Sequence, residues 1–141
     1  MTKRLLTLLI ICWTTYSTAQ TSADSIHPID KKCEDCLAKN TVKTTDMMQC
    51  FANSRDAWQK EMDKYYNLLL TRLKGEQKEK LIASQNSWTS YKDKEFDLSG
   101  SIYYGDDMGK EKRIDAVSRQ SEIFKQRTQE LKSYYDTLHG Q

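Results

Sequence analysis

The sequence predicts an all-α fold: a small bundle of about three long helices, held by one disulfide. Three observations predict it. Apolar residues recur at steps of three, four and seven over most of the chain after residue 44, which is the period of a helix packed on one side. No segment alternates apolar and polar residues in the manner of a strand. The 141 residues are enough for one domain with one hydrophobic core.

The first 19 residues have the pattern of a secretory signal peptide. Lys3 and Arg4 precede an apolar run over residues 5–13, and small or polar residues follow as far as Ala19. This run is shorter than the roughly 20 residues that span a bilayer. We expect cleavage before Gln20 and a periplasmic or secreted bacterial protein, with no stable membrane insertion after cleavage.

The charge balance argues against a nucleic-acid partner. The chain has 22 basic and 20 acidic residues, and two of the basic residues belong to the signal peptide. The mature chain is therefore formally neutral, with 20 residues of each sign. A protein that neutralises phosphates needs clustered positive charge. We expect no nucleic acid among the partners.

Residues 20–35 are predicted to form a flexible leader, because they are polar, contain the only proline and show no helical period. The helical domain is expected over residues 36–138. Its long helices are predicted from three periodic segments, and the segment between the last two contains three glycines and is expected to be a loop. The helical segments are 44–74, 76–98 and 110–138, and the loop is 99–109.

The joint between the first two helices is expected at Gly75, because glycine tolerates the left-handed conformation that ends a helix. The two helices would then form an antiparallel hairpin, and the third helix would cover it. Each helix has an apolar stripe that it cannot bury alone.

Three cysteines remain after signal cleavage: Cys33, Cys36 and Cys50. Outside the cytoplasm one pair is expected to form a disulfide. We expect Cys36–Cys50, a loop of about 15 residues worth about 3 kcal/mol. The alternative disulfide is Cys33–Cys50. The remaining alternatives are redox chemistry at "CEDC" and a zinc site. A redox motif belongs to a βαβ setting that the sequence lacks, and no fourth zinc ligand lies near, so we expect no metal or other cofactor.

The segment "SQNSWTSYKDKEF", residues 84–96, brings polar and aromatic residues to one helical face. Trp88 is expected to fill the hairpin core, and Gln85 and Tyr91 to form hydrogen bonds between helices. Lys92 and Asp93 would lie at the margin with their charges in water. The alternative is an exposed platform, on which the indole stacks against a sugar and the amide binds its hydroxyl groups.

Catalysis is not expected. Both histidines lie outside the periodic segments. We therefore propose neither a Ser-His-Asp triad nor a Cys-His pair. A carboxylate pair such as Glu61 with Asp93 would be the candidate for an enzyme that cleaves peptidoglycan. Neither residue has the apolar surroundings that a glycosidase acid requires.

Five segments occur in an order that resembles the LprI N-terminal-like domain family of small exported bacterial proteins: "MMQC", "WQKEMDKYY", "LLTRL", "SQNSWTSYKD" and "RTQEL". The most specific part is Gln-x-x-Trp-x-x-Tyr-(Lys/Arg)-Asp at residues 85–93. One named activity of this family is inhibition of lysozyme. The resemblance implies a helical bundle outside the cytoplasm and a protein partner, lysozyme or another cell-wall-related protein.

The resemblance also assigns residues. The first family cysteine pair falls on Cys36 and Cys50. Many members have a second pair, and here Phe96 and a residue near Ser121 occupy those places, so that packing must hold the third helix. The matching motif residues are Trp58, Tyr66, Gln85, Trp88, Tyr91, Lys92, Asp93, Arg127 and Leu131.

The loop over residues 99–109 is the predicted contact with such a partner. Tyr103 and Tyr104 would anchor the interface, and the negative charges of Asp106 and Asp107 suit a cationic lysozyme. The expected function is therefore that of an exported, non-enzymatic binding module. The alternatives are an envelope structural or interaction protein of unknown partner, and a peptidoglycan-acting enzyme.

Overall fold

The structure is a computed structural model that describes residues 26–39, 43–105 and 107–140. The predicted signal peptide lies outside the described residues. Within them the chain forms helices and no strand, so the all-α prediction is confirmed. None of these helices is long and apolar enough to cross a membrane. The helices are α1 (Pro28–Leu37), α2 (Thr44–Arg72), α3 (Gly75–Tyr103) and α4 (Lys110–His139).

Helices α2 and α4 form the most extensive helix pair in the bundle. Their contacting side chains keep a nearly constant sequence separation of 67 to 70 residues, so the two helices run in the same direction. The contacting pairs include Ser54–Ser121, Trp58–Thr128 and Tyr65–Tyr135. Helix α3 runs antiparallel to both, and it packs more on α4 than on α2. Helices α2 and α3 form the predicted hairpin and α4 covers it, with the most extensive packing between α4 and α2, the parallel pair.

The core lies between the three long helices. Trp58, Leu69 and Leu131 have at most 2% of their surface exposed. Burying a side chain of this size stabilises the fold by roughly 2 kcal/mol relative to leaving it in water. The buried cluster consists of Trp58, Met62, Leu69, Leu81, Phe124 and Leu131.

The turn between α2 and α3 has the predicted glycine. Gly75 has a φ of 52°, in the left-handed region where a side chain would strain the backbone. Only Leu73 and Lys74 separate the two helices. Such a short connection forces α3 to return alongside α2.

Helix α1 corrects the predicted leader of residues 20–35, which is helical from Pro28. Proline suits the first turn of a helix, and the His27 ring accepts a hydrogen bond from the backbone N–H of Ile29 at 3.3 Å. A helix of ten residues is marginal alone in water. The disulfide Cys36–Cys50, as predicted, ties α1 to α2, while Cys33 keeps a free thiol.

The predicted loop 99–109 is also corrected, because α3 continues through its first half and ends at Tyr103. Ser99 is buried, with 3% of its surface exposed, and its hydroxyl donates to the carbonyl oxygen of Phe96 at 3.1 Å. This packing outweighs the roughly 1 kcal/mol by which a helical glycine such as Gly100 is disfavoured. The connection to α4 is therefore residues 104–109.

Candidate functional site

A first cluster, the Trp58 site, joins α1 to the parallel pair and consists of His27, Asp30, Trp58 and Lys125. The indole N–H of Trp58 donates to Asp30 at 3.2 Å, and the Lys125 ammonium lies 2.9 Å from the other oxygen of the same carboxylate. The His27 ring lies over the indole with centroids 4.3 Å apart. The hydrogen bond to Asp30 raises the pKa of Lys125. Asp30, Trp58 and Lys125 bind one another, so the site holds α1 on the parallel pair.

A second cluster joins α3 to α4 around the buried Arg127. Its guanidinium donates to Gln85 at 3.0 Å, to Ser84 at 3.1 Å and to Glu130 at 2.9 Å. It also lies 5.9 Å from the centre of the Trp88 ring. Gln85 therefore forms the predicted hydrogen bond between helices, with Arg127 as its partner. Sequence reasoning missed this role of Arg127, because a helical period does not show where a long cation reaches.

Trp88 lies at the margin of the core rather than at its centre. The ring is half-buried and packs edge-on against Phe124 of α4, with centroids 5.6 Å apart. Lys92 forms an ion pair with Asp93 at 2.6 Å and lies 5.4 Å from the Phe96 ring, as expected at a margin. Because the half-buried Trp88 ring packs against Phe124 and lies beside the Arg127 guanidinium, the structure does not favour a flat, open sugar platform.

Tyr91 corrects the expectation of a hydrogen bond between helices, since 51% of its surface is exposed. It begins a set of exposed apolar side chains that we call the α3 patch: Tyr91, Leu98, Ile102, Tyr104 and Met108. Its first three members are spaced by seven and four residues and so lie on one helix face. The patch holds five of the eight exposed large hydrophobic residues in the described chain.

The segment that contains most of the α3 patch is acidic. From Asp93 to Asp107 the chain has five acidic residues and one basic residue, Lys94. Glu95 binds the Nε of Arg119 at 2.9 Å. Among the residues that the structure describes, neither Asp97 nor Asp107 has an ion-pair partner. The patch therefore combines apolar side chains with uncompensated negative charge.

The predicted partner-binding residues fall at the end of this patch. Tyr103 is half-buried, whereas Tyr104 is 45% exposed and lies 5.7 Å from the guanidinium of Arg113. Asp107 is exposed, and Asp106 lies outside the described residues. Sequence reasoning missed Leu98 and Ile102, although their spacing from Tyr91 was a readable signal.

The family model described as lysozyme inhibitor LprI matches residues 33–131. The chain belongs to the LprI family. The match runs from α1 to the buried Leu131 of α4, so it includes the α3 patch and, of the Trp58 site, Trp58 and Lys125. LprI proteins are exported bacterial proteins, and the family's description names inhibition of lysozyme. Comparison with curated proteins and with solved structures gives no match.

The remaining LprI motif residues serve packing. Tyr66 is half-buried against the core and Leu131 is fully buried. Where many LprI members have a second cysteine pair, the Phe96 ring lies 6.1 Å from that of Phe124, and Ser121 donates to Ser54 at 3.0 Å. An aromatic pair and a buried hydroxyl pair therefore connect α4 to its neighbours.

The side chains considered as candidates for catalysis make contacts that do not suit it. Glu61 forms an ion pair with Lys64 at 2.6 Å, as Asp93 does with Lys92. The Cys33 sulfur lies 3.8 Å from the carbonyl oxygen of Cys50, and burial raises the pKa of its thiol, which makes it a poor nucleophile. In the described part of the chain, no three potential ligands are grouped as a metal site would require.

Proposed function

We propose that the mature protein inhibits a lysozyme by direct protein–protein contact, in the periplasm or outside the cell, after removal of residues 1–19. Membership of the LprI family supports the activity. We infer the location of the contact from the α3 patch. It presents five exposed large hydrophobic side chains, three of which lie within the acidic segment 93–107.

The two properties of the patch have separate effects on binding. Exposed apolar side chains such as Leu98, Ile102 and Tyr104 provide the buried contact area on which affinity depends. Uncompensated carboxylates such as Asp97 and Asp107 attract a cationic enzyme and raise the association rate more than the affinity. A cationic lysozyme is complementary to both properties.

The other clusters are less suited to be the contact. In the Trp58 site the indole, the carboxylate and the ammonium bind one another. Gln85 and Arg127 likewise bind each other across the bundle. A partner would have to break these bonds, whereas the α3 patch is exposed already.

The activity is tested by titrating the mature protein into a lysozyme assay on bacterial cell walls. We expect the lytic rate to fall in proportion to the complex formed. An unchanged rate at a large molar excess of the protein would remove the proposed inhibition. Incubation of the protein alone with purified sacculi is the matched control, and released fragments would favour the peptidoglycan-acting enzyme.

The location is tested with a double variant, Leu98→Ser/Ile102→Ser. Because both side chains are about half exposed, the change leaves the core intact. We expect inhibition to weaken by about tenfold or more, the effect of removing interface anchors. The control is Ile82→Ser/Tyr134→Ser, which removes exposed apolar side chains elsewhere. If the two variants inhibit equally well, the α3 patch is not the contact with lysozyme. That result would not contradict the inhibition itself.

Tyr103→Ala/Tyr104→Ala tests the end of the patch. We expect a smaller loss of inhibition than for the Leu98 and Ile102 variant, since Tyr103 is half-buried and offers less surface. Unfolding of this variant is monitored by circular dichroism, so that lost stability is not mistaken for a lost contact.

The second candidate is an envelope interaction protein, which the same exposed patch favours. In that case lysozyme would be unaffected, and the protein would associate with itself or with another envelope protein. Sedimentation of the wild type and of Leu98→Ser/Ile102→Ser distinguishes self-association through the patch from a monomer that binds lysozyme.

A further inference from the structure

A cleft of about 370 Å³ lies between the C-terminal part of α2, the beginning of α3 and the C-terminal part of α4. We call it the Arg127 cleft, after the residue at one of its ends. Its lining is mostly apolar, with Leu69 and Leu81 from the core and the exposed ring of Tyr134. Small-molecule sites are typically of this size, apolar, and supplied with a few polar groups.

The sequence of α3 explains why the cleft exists. Gln77, Leu81, Ser84 and Trp88 are spaced by four, three and four residues and so lie on one helix face. Two of these four positions carry the exposed polar residues Gln77 and Ser84, which line the cleft. The space between the ends of α2 and α4 is therefore left partly unfilled.

The charges that line the cleft have one sign. Arg127 and Lys80 are its only charged lining residues within the described chain. The carboxylates that pair with them, Glu130 and Glu76, are more than half exposed and do not line the cleft. The Lys80–Glu76 pair is exposed on both sides and contributes little to stability, whereas Arg127 is buried and only its partner Glu130 reaches into water.

Arg127 has unused hydrogen-bonding capacity. Its side chain is only 7% exposed, and three of its N–H groups donate to Gln85, Ser84 and Glu130. A guanidinium has five N–H donors, so one hydrogen on each terminal nitrogen has no partner among the described residues. Two such hydrogens fit the two oxygens of a carboxylate.

The length of the cleft suits an extended chain. From Arg127 to Leu138, both in its lining, α4 advances eleven residues, which is about 16 Å of helix. The polar groups Arg127 and Ser84 stand at one end of this span, and Leu73 and Leu138 stand toward the other. A ligand with one charged end and one apolar end would match this gradient.

We propose that the Arg127 cleft binds a single-chain amphiphile with an anionic head, such as a fatty acid. The carboxylate is bound by Arg127 and Lys80, and the acyl chain lies along the apolar lining toward Leu138. This site is separate from the α3 patch and does not depend on lysozyme inhibition.

The first test is calorimetric titration of the mature protein with dodecanoate below its micellar concentration. Dodecyltrimethylammonium has the same chain with the opposite charge, and acetate has the head without the chain. We expect one dodecanoate per protein, affinity for the cation weaker by about tenfold or more, and no measurable heat with acetate. Absence of saturable dodecanoate binding, or equal affinity for both heads, would overturn the proposal.

Exposed substitutions then locate the site without disturbing the core. Lys80→Glu places a carboxylate beside the head and is expected to weaken dodecanoate binding by about tenfold. Thr137→Trp fills the cleft from its exposed side and is expected to abolish binding. The control Lys78→Glu changes the same charge on the same helix outside the lining. Equal weakening by Lys78→Glu and Lys80→Glu, or unchanged affinity of Thr137→Trp, would contradict the site.

The contact with Arg127 has an optical readout, since its guanidinium lies 5.9 Å from the Trp88 ring. Dodecanoate is expected to change tryptophan emission in the wild type. In Trp88→Phe the change is expected to vanish while calorimetry still detects binding. An emission change that persists in Trp88→Phe would come from Trp58, the other tryptophan of the mature chain, and would place the ligand away from the cleft.

Discussion

The Trp58 site and the α3 patch use the same kinds of residue for opposite purposes. Both combine aromatic or aliphatic side chains with carboxylates. In the Trp58 site the indole is 2% exposed, and Asp30 binds both Trp58 and Lys125. In the α3 patch Leu98 is 54% exposed, and among the described residues Asp97 has no ion-pair partner.

The difference between the two regions is a covering helix. Helix α1 lies over Trp58 and supplies Asp30 and His27, whereas no described segment covers the outer side of α3. Residue type alone therefore does not separate a core cluster from a binding surface. Neighbouring apolar side chains that the described chain leaves exposed, such as Leu98 and Ile102 one turn apart on α3, are typical of an interaction surface.

The largest expected effect is on stability, and it is seen by substituting one residue of each region, Trp58 and Ile102. Trp58→Ala should lower the free energy of unfolding by about 3–5 kcal/mol, because it leaves a cavity and removes one of the two donors that Asp30 binds. Ile102→Ala should lower it by no more than about 0.5 kcal/mol, since nearly half of that side chain is in water. Urea unfolding measures both, and similar losses would show that Ile102 belongs to the core.

The next effect concerns the attachment of α1. Loss of the Cys36–Cys50 bridge should destabilise the protein by about 3 kcal/mol, given a loop of about 15 residues. Because Cys33 could replace Cys36, the comparison is Cys33→Ser/Cys50→Ser against Cys33→Ser alone. Equal unfolding midpoints under oxidising conditions would mean that contacts such as Asp30–Trp58 hold α1 without the bridge.

A smaller effect is expected from Asp30→Asn, which removes the charge that Lys125 and Trp58 share. We expect a loss of about 1–2 kcal/mol, because the pair is largely buried. The control Asp35→Asn breaks the exposed pair with Lys31 and should cost at most about 0.5 kcal/mol. Equal losses from the two variants, measured by urea unfolding, would contradict a special role of the Trp58 site.

The contribution of the Lys125–Asp30 ion pair to stability depends on pH, in a direction that the pKa shift fixes. The pKa of Lys125 is raised in the folded protein above its ordinary value of 10.5. Its stabilising contribution is therefore complete below pH 10.5 and is lost as the pH rises through the folded pKa. The stability difference between the wild type and Lys125→Met should be constant from neutral pH to about pH 9 and should shrink above pH 10.5.

The smallest expected effect is on the rate at which the Cys33 thiol is alkylated. Because burial raises the pKa of Cys33, its alkylation at pH 8 should be slower in the folded protein than in urea. Asp30→Asn should speed it by loosening α1, whereas Ile102→Ala should not change it. Equal rates in the wild type and Asp30→Asn, followed by mass spectrometry, would mean that α1 does not depend on Asp30.

The long helices were predictable because their apolar period extends over many turns, and the Gly75 turn because glycine is suited to a positive φ. Helix α1 was not predictable, since ten residues form fewer than three turns and its order depends on contacts with Cys50 and Trp58. The end of α3 was missed because Gly100 indicates a loop, while the burial of Ser99 keeps the helix intact.

The site was predictable only in part. The period of α3 does not distinguish its inner face from its flank, and for this reason Tyr91 was wrongly expected inside. The weaker packing of α3 on α2 could not be predicted either, because a helical period does not show which neighbouring helix an apolar stripe will pack on. Cys36–Cys50 was predicted correctly, since few pairings were open to three cysteines.

Hydroxyl-radical footprinting of the mature protein with and without lysozyme tests the central claim most directly, because it reports the exposure of each side chain. We predict that the reactivity of Leu98, Ile102, Tyr104 and Met108 falls in the complex, while that of Ile82 and Tyr134 stays unchanged. Unaltered reactivity throughout the α3 patch, or loss of reactivity at Tyr134 alone, would contradict the account.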